Sequence, residues 1–429
     1  MPTPSLILVP ARFKTGKLYT PVATTSGGVV LGASGDFNVT RATTATRFNS
    51  AGLIESVASG IPRLDYYTSG GPAGCPALLV EPSGTNLALN SANTATNWIL
   101  GANLTSGYTD VIGVSGNNLT VAVSGNSVGG SNGSLARLMS IPLASGSTYT
   151  ISFLVKKTAT HTIAGYYANA GGDLGGGFDI GGSFSSGSLY NNGNVTNRIR
   201  RVEQWGTDVF RCSETFTMAA SGTITALRLA PVSGVTTKEN SAVGTQIAFA
   251  APQLEVGSVP TTFIPTTTAS ATRNADVINL SGAVSGCIGQ TQGTIYAEVV
   301  LSRVNTSPLI TISDGSDLNR IQIAFASATS LIAIIRIAGA NANYTVTIPT
   351  IPATGGVYKM ALGYKTDDYC FALNGTAYAS TASKGVPACN KIGLGTSATD
   401  GAFLTDRIRA AALYTTRLTD SELAALTTL

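Results

Sequence analysis

A chain of 429 residues is too long for one ordinary core, and a hydrophobic share of 43% can build two or three. Only 11% of the residues are charged, and the net charge of +4 comes without a basic run, so no electrostatic footprint for nucleic acid is present. The surface must then be made of Thr, Ser, Asn and Gly, and with 49 glycines for turns this points to an all-β protein and away from a metabolic enzyme.

The start, Met1-Pro2-Thr3-Pro4, lacks a basic leader region, and the apolar stretch 6–9 is far shorter than a signal core or a spanning helix, so no export signal or membrane insertion is expected. Residues 1–85 read as short strands broken by Gly27-Gly28, Gly32, Gly35 and Gly70-Gly71-Pro72. Too little of this segment is continuously apolar to assure a core. It is therefore expected to be an attachment or interchain segment that buries stretches 6–9 and 78–80 against neighbouring chains. Its charged residues Arg41, Arg47, Arg63 and Glu81 are expected to form buried or intersubunit ion pairs that fix the geometry of attachment, with ordinary surface charge as the competing reading.

Residues 86–265 show repeated period-two patterning. Tyr149, Ile151, Phe153 and Val155 share one strand face, and Thr148, Thr150 and Ser152 share the other, which predicts a half-buried strand. Stretches 209–216, 223–229 and 245–251 behave alike, with Gly-rich loops or edge strands at 121–133 and 171–193. About eight such strands predict a two-sheet jelly roll. A Thr-rich linker over 266–290 follows. The unit 291–429 opens with Ile295, Ala297, Val299 and Leu301 on one face and has hairpin turns at Asp314-Gly315 and Asn374-Gly375. Thr419 with Glu422 makes a capping box for one short C-terminal helix.

Several blocks resemble surface proteins of tailed bacteriophages: Val39-Thr40-Arg41 with Ala45-Thr46-Arg47, then Gly52-Leu53-Ile54-Glu55, Ile61-Pro62-Arg63-Leu64-Asp65, Leu79-Val80-Glu81-Pro82 and Trp98. Gln253-Leu254-Glu255 with Gly257-Ser258, Ile264-Pro265-Thr266, Thr272-Arg273 and Ala275-Asp276 resemble the end of carbohydrate-binding-module-like jelly rolls in phage tail and fibre proteins. The last unit, closing on Leu413-Tyr414 and Leu418-Thr419, is similar to concanavalin A-like (laminin-G-like) sandwiches. The resemblance implies a virion surface protein assembled as a homotrimer, with other virion proteins and a host-surface glycan as partners. Tail-fibre adhesin and capsid-bound head fibre or decoration protein both remain open, with a polysaccharide depolymerase as the rival from another class.

A catalytic site needs converging polar groups with shifted proton affinities. The lone His161 reads as structural, and no Walker loop, HExxH or paired CxxC occurs, so neither cofactor nor structural metal is expected. Asp173, Asp179, Glu203 and Asp208 are candidate acids for the two carboxylates of a glycosidase, and solvated turn acids are the simpler reading. Asp314, Asp317 and Asn319 lack a full calcium ligand set. The five cysteines read as small buried apolar residues, with a Cys370–Cys389 pairing left open. For glycan binding, an exposed ring flanked by polar groups is required. Tyr167, Tyr190 and Trp205 are the candidates, against core packing, and the adjacent Tyr166 and Tyr167 should point to opposite faces of their strand.

Overall fold

The computed structural model describes residues 2–20, 22–23, 29–30, 36–68, 71–92, 98–108, 119–123, 134–157, 162–191, 193–205, 208–240, 245–282, 286–301, 306–327, 330–347, 356–380 and 385–429. The protein is all-β, and every strand pairing among the described residues is antiparallel. The single helix among those residues, Asp420–Thr427, starts at Thr419, whose hydroxyl accepts the Glu422 amide proton at 3.2 Å while the Glu422 carboxylate accepts the Thr419 amide at 2.9 Å. Its Leu423 packs beside Tyr296, Cys370 and Tyr414 on the outer side of a sheet.

Residues 1–85 do not form the separate interchain segment expected. Strand Leu6–Leu8 pairs with Asp406–Tyr414, Leu6 lying opposite Leu413, and Gly71–Val80 pairs with the other half of the same strand, Leu78 opposite Ile408. On the second sheet Phe37–Thr40 runs beside Val277–Ser281. Short strands that cannot close a sheet alone complete the edges of strands that arrive hundreds of residues later. The two resulting sheets hold ten and nine strands among the described residues. Their inner faces share one core, in which Leu6, Leu8, Phe37, Leu78 and Val80 are fully buried with Ile295, Ile312, Ile323 and Phe371. Of the apolar stretches expected to seek other chains, Leu6, Leu8 and 78–80 are thus buried within their own, while Ile7 and Val9 stay exposed.

The jelly roll is consequently an insertion into this base sandwich. The chain leaves through Gly84–Asn86 and returns through Ala271–Arg273, and these two strands pair with each other. The linker expected over 266–290 already contributes two strands, Ala271–Arg273 and Val277–Ser281. Between exit and return lie a seven-stranded sheet, ordered from Ile99–Leu100 through Leu135–Leu143, Gly222–Gly234, Ile163–Ala170 and Asp173–Asp179 to Ser186–Tyr190 with Thr237–Asn240 on Gly222–Gly234, and a six-stranded sheet centred on Thr148–Lys156. Tyr149, Ile151, Phe153 and Val155 enter the core between them. The opposite face of that strand, expected to be solvated, is buried as well. Thr150 donates to the Gly257 carbonyl oxygen at 2.8 Å and Ser152 accepts from Arg211, because the returning chain crosses this face. The Asn374-Gly375 turn closes its hairpin with both residues at positive φ, 46° and 86°, as a primed two-residue turn requires.

Candidate functional site

The seven-stranded sheet presents one row of residues to the outside. Pairing sets Ile99 opposite Ala136, Ala136 opposite Arg228, Arg228 opposite Tyr167, Tyr167 opposite Gly175 and Gly175 opposite Tyr190, so all six lie on one face. Tyr166, one residue away, points inward and is fully buried beside Phe153 and Phe178. Tyr167 and Tyr190 are half-buried, and their rings meet edge to face at 4.9 Å between centroids. This contact depends on Gly175, where a Cβ would stand 2.8 Å from the Tyr190 ring.

Polar groups frame the two rings. The Tyr167 hydroxyl donates to Asp173 at 2.7 Å, and partial burial together with this bond pushes the phenol up to about 12, so it stays a protonated donor at neutral pH. The Arg228 guanidinium lies 5.1 Å from the Tyr167 ring centre in a cation–π arrangement. Its Nε is buried without a hydrogen-bond partner among the described residues. Two partly exposed rings, a carboxylate and a guanidinium therefore share one patch of rigid sheet. Such a surface can stack on the apolar face of a sugar ring and hydrogen-bond its hydroxyls. Both tyrosines are glycan candidates of the sequence, whereas Asp173 figures there only as a possible glycosidase acid and Arg228 not at all. Its available signal was alternation, since Arg228 separates the buried Leu227 and Leu229.

Trp205 does not belong to this face. It is 4% exposed, contacts Phe48 edge to face at 4.6 Å and carries Arg211 over its ring at 5.0 Å. Phe48 and Ile54 of the base cluster with Trp205, Ala250 and Phe263 of the insertion, so this indole is a packing element at the neck. Trp98 is also buried, donating to the Asn90 carbonyl oxygen at 3.2 Å.

Arg41, Arg63 and Glu81 meet within the chain, at the neck, together with Arg273 and Asp276. Asp276 accepts from Arg41 at 2.9 Å and from both Nε and Nη2 of Arg63. Glu81 accepts from Arg63 at 2.8 Å and from the Thr262 amide at 2.9 Å, and Arg273 stands 3.4 Å from it. All five side chains are buried to within 2% of completely. Burial alone would lower the Arg63 guanidinium, but the Asp276 and Glu81 carboxylates outweigh it and hold it above its ordinary value. For Arg41 and Arg273 burial wins, and both are held below theirs. Arg47 stands apart, paired with Glu55 at 2.7 Å near the surface. Arg41, Arg63 and Glu81 are the members expected from the sequence, whereas Arg273 and Asp276 stand out there only within a motif.

The remaining candidates separate. Asp179 accepts from the Gly181 amide at 2.7 Å, the buried Glu203 accepts from Trp205 Nε1 at 3.3 Å, and Asp208 faces Lys157 at 3.6 Å. Asp314 accepts from Asn319 at 2.8 Å while Asp317 binds Arg320 at 2.7 Å. Cys75 is exposed and the other four cysteines are buried; all are free thiols. Cys370 sits under the helix and Cys389 in the base core, so the two are not paired. His161 lies outside the described residues.

No protein-family model and no curated protein matches this chain. Among solved structures, the carbohydrate-binding module CBM40 of a Ruminococcus gnavus IT-sialidase is similar at 17% identity over 34% of this chain and 87% of its own, with a TM-score of 0.29. Domain 4 of AbnA, an extracellular arabinanase of Geobacillus stearothermophilus, is similar at 19% identity over 36% of this chain and 73% of its own, at 0.29. Domains LG4-5 of mouse laminin alpha1 are similar at 12% identity over 68% of this chain and 89% of their own, at 0.24. Nothing about the ligand of this chain follows from likenesses of that size.

Proposed function

We propose that this chain is a non-enzymatic adhesin whose inserted jelly roll holds a glycan against the Tyr167–Tyr190 face. The observation that carries the reading is the pairing of two partly exposed rings with Asp173 and Arg228 on one rigid row of strands. Weak contacts of this kind become strong when many copies act together. The motif blocks resembling tailed-phage proteins and the charge-poor composition support a place on a virion surface, in a homotrimeric tail fibre or, alternatively, a capsid-bound head fibre.

The test is a glycan array probed with the full chain, followed by calorimetry on any hit. Tyr167→Ala and Tyr190→Ala should each weaken binding about tenfold, the equivalent of ~1.4 kcal/mol. Trp205→Phe should leave it unchanged. Binding that survives the double tyrosine variant would end the assignment to this face. Gold-labelled antibody on intact particles separates tail from capsid, and the mass of the purified protein in solution decides the trimer.

A further inference from the structure

The nine-stranded sheet of the base carries a different surface. Its inward residues Ile321, Ile323, Leu331 and Ala333 belong to the core, so the residues alternating with them face out. Pairing arranges these in rows across three strands: Pro308, Ala324 and Ile332; then Thr311, Gln322 and Ile334; then a row in which Arg320 lies directly opposite Arg336. Over the four residue steps from Ala324 to Arg320, about 13 Å of strand, the face changes from apolar to cationic. The loop 397–402 walls this face, leaving a groove of about 510 Å³. That volume is within the range of small-molecule sites.

The cationic end is undercompensated. Sheets favour opposite charges across a pair, and like charges there are destabilising. Arg320 faces Arg336 nonetheless. Asp317, half exposed, binds Arg320 at 2.7 Å, whereas Arg336 donates its Nε to the Gly339 carbonyl oxygen at 3.0 Å. Arg320 Nε is buried and has no hydrogen-bond partner among the described residues. Two guanidinium groups and one carboxylate leave one positive charge, and a planar carboxylate is the group a guanidinium binds best.

The occupant must also be read by side chains. Strands Ser307–Ser313, Arg320–Ser327 and Ser330–Ile337 are paired on both sides, so an incoming peptide strand finds no free ladder to extend. Hydroxyls of Ser397 and Thr399 line the wall of the groove, and Gln322, whose amide donates to Thr311 at 2.9 Å, interrupts its apolar floor. This combination suits a polyhydroxylated chain bearing acid groups. We propose that the groove binds a carboxylated oligosaccharide, its carboxylate on Arg320, with Arg336 adding positive charge from the paired strand, and its ring faces on Ala324, Ile332 and Ile334, at a site independent of the Tyr167 face.

Calorimetry on the full chain with tetragalacturonate and with its methyl ester tests this. The acid should bind at least about tenfold more tightly than the ester. Arg320→Gln should abolish that difference, and Ile334→Trp, which fills the floor and leaves both arginines, should remove binding of both probes. The Tyr167→Ala, Tyr190→Ala double variant should bind the acid as the unaltered protein does. Absence of binding at about 1 mM acid, equal affinity for acid and ester, or unchanged affinity in Ile334→Trp overturns the proposal.

Discussion

Replacing Asp276 by Asn removes one negative charge from the neck at nearly constant shape. Glu81 is then the one carboxylate left among the five residues, and the net charge of that cluster rises from +1 to +2. Breaking a buried pair by removing one partner costs about 3–5 kcal/mol, because the charges left behind cannot recover their hydration. With an m-value of roughly 4 kcal/mol/M in guanidinium chloride, the unfolding midpoint should fall by about 1 M. Tryptophan fluorescence is the assay, since Trp205 lies where base and insertion meet and Trp98 lies in the core of the insertion. Arg47→Met is the control. Its partner Glu55 is 37% exposed, and a pair so placed is worth about 0–1 kcal/mol. Equal small shifts in the two variants would refute the view that the neck network, rather than packing alone, holds insertion to base.

Other outcomes follow from the same structure. Leu8→Ala should cost about 2–5 kcal/mol and reduce hydrogen-exchange protection in Asp406–Tyr414; protection lost only near the N-terminus would contradict the shared sheet. Burial lifts the Glu255 carboxyl above its ordinary value, although Thr261 and Arg211 draw it back. The fold then binds that proton more tightly than the unfolded chain, so stability falls as pH rises from about 4.3 through the raised value. Glu255→Gln should flatten this part of the profile, measured by denaturation at a series of pH values; an unchanged slope would show that Glu255 does not set it. Thr419→Ala should cost about 1 kcal/mol through the lost cap, read from the melting curve, and a neutral result would mean that packing of Leu423 alone fixes the helix.

Local features were legible because their causes are local. The alternation of Tyr149, Ile151, Phe153 and Val155, the Asn374-Gly375 turn and the Thr419–Glu422 box each act within a few residues. The joining of residues 1–85 to the last strands was not legible, since nothing near Leu6 specifies that its partner is Leu413. Burial of Thr150 and Ser152 was hidden for a related reason: a polar strand face looks solvated until the segment that crosses it is known. At the site, neighbouring tyrosines on a strand announce one outward ring. The approach of Arg228 depends on a register between strands separated by more than fifty residues, which composition does not encode. Trp205 misled because large aromatics serve both sugar stacking and the filling of seams.

Exit and return of the chain through one hydrogen-bonded ribbon, Gly84–Asn86 beside Ala271–Arg273, make the base a socket and the jelly roll a cartridge. A foreign module whose ends lie one strand spacing apart could be exchanged at this ribbon without altering either terminus. In the adhesin role proposed above, pull on a bound ligand would reach the base along two strands loaded side by side, and recognition could diversify while the mount stayed the same.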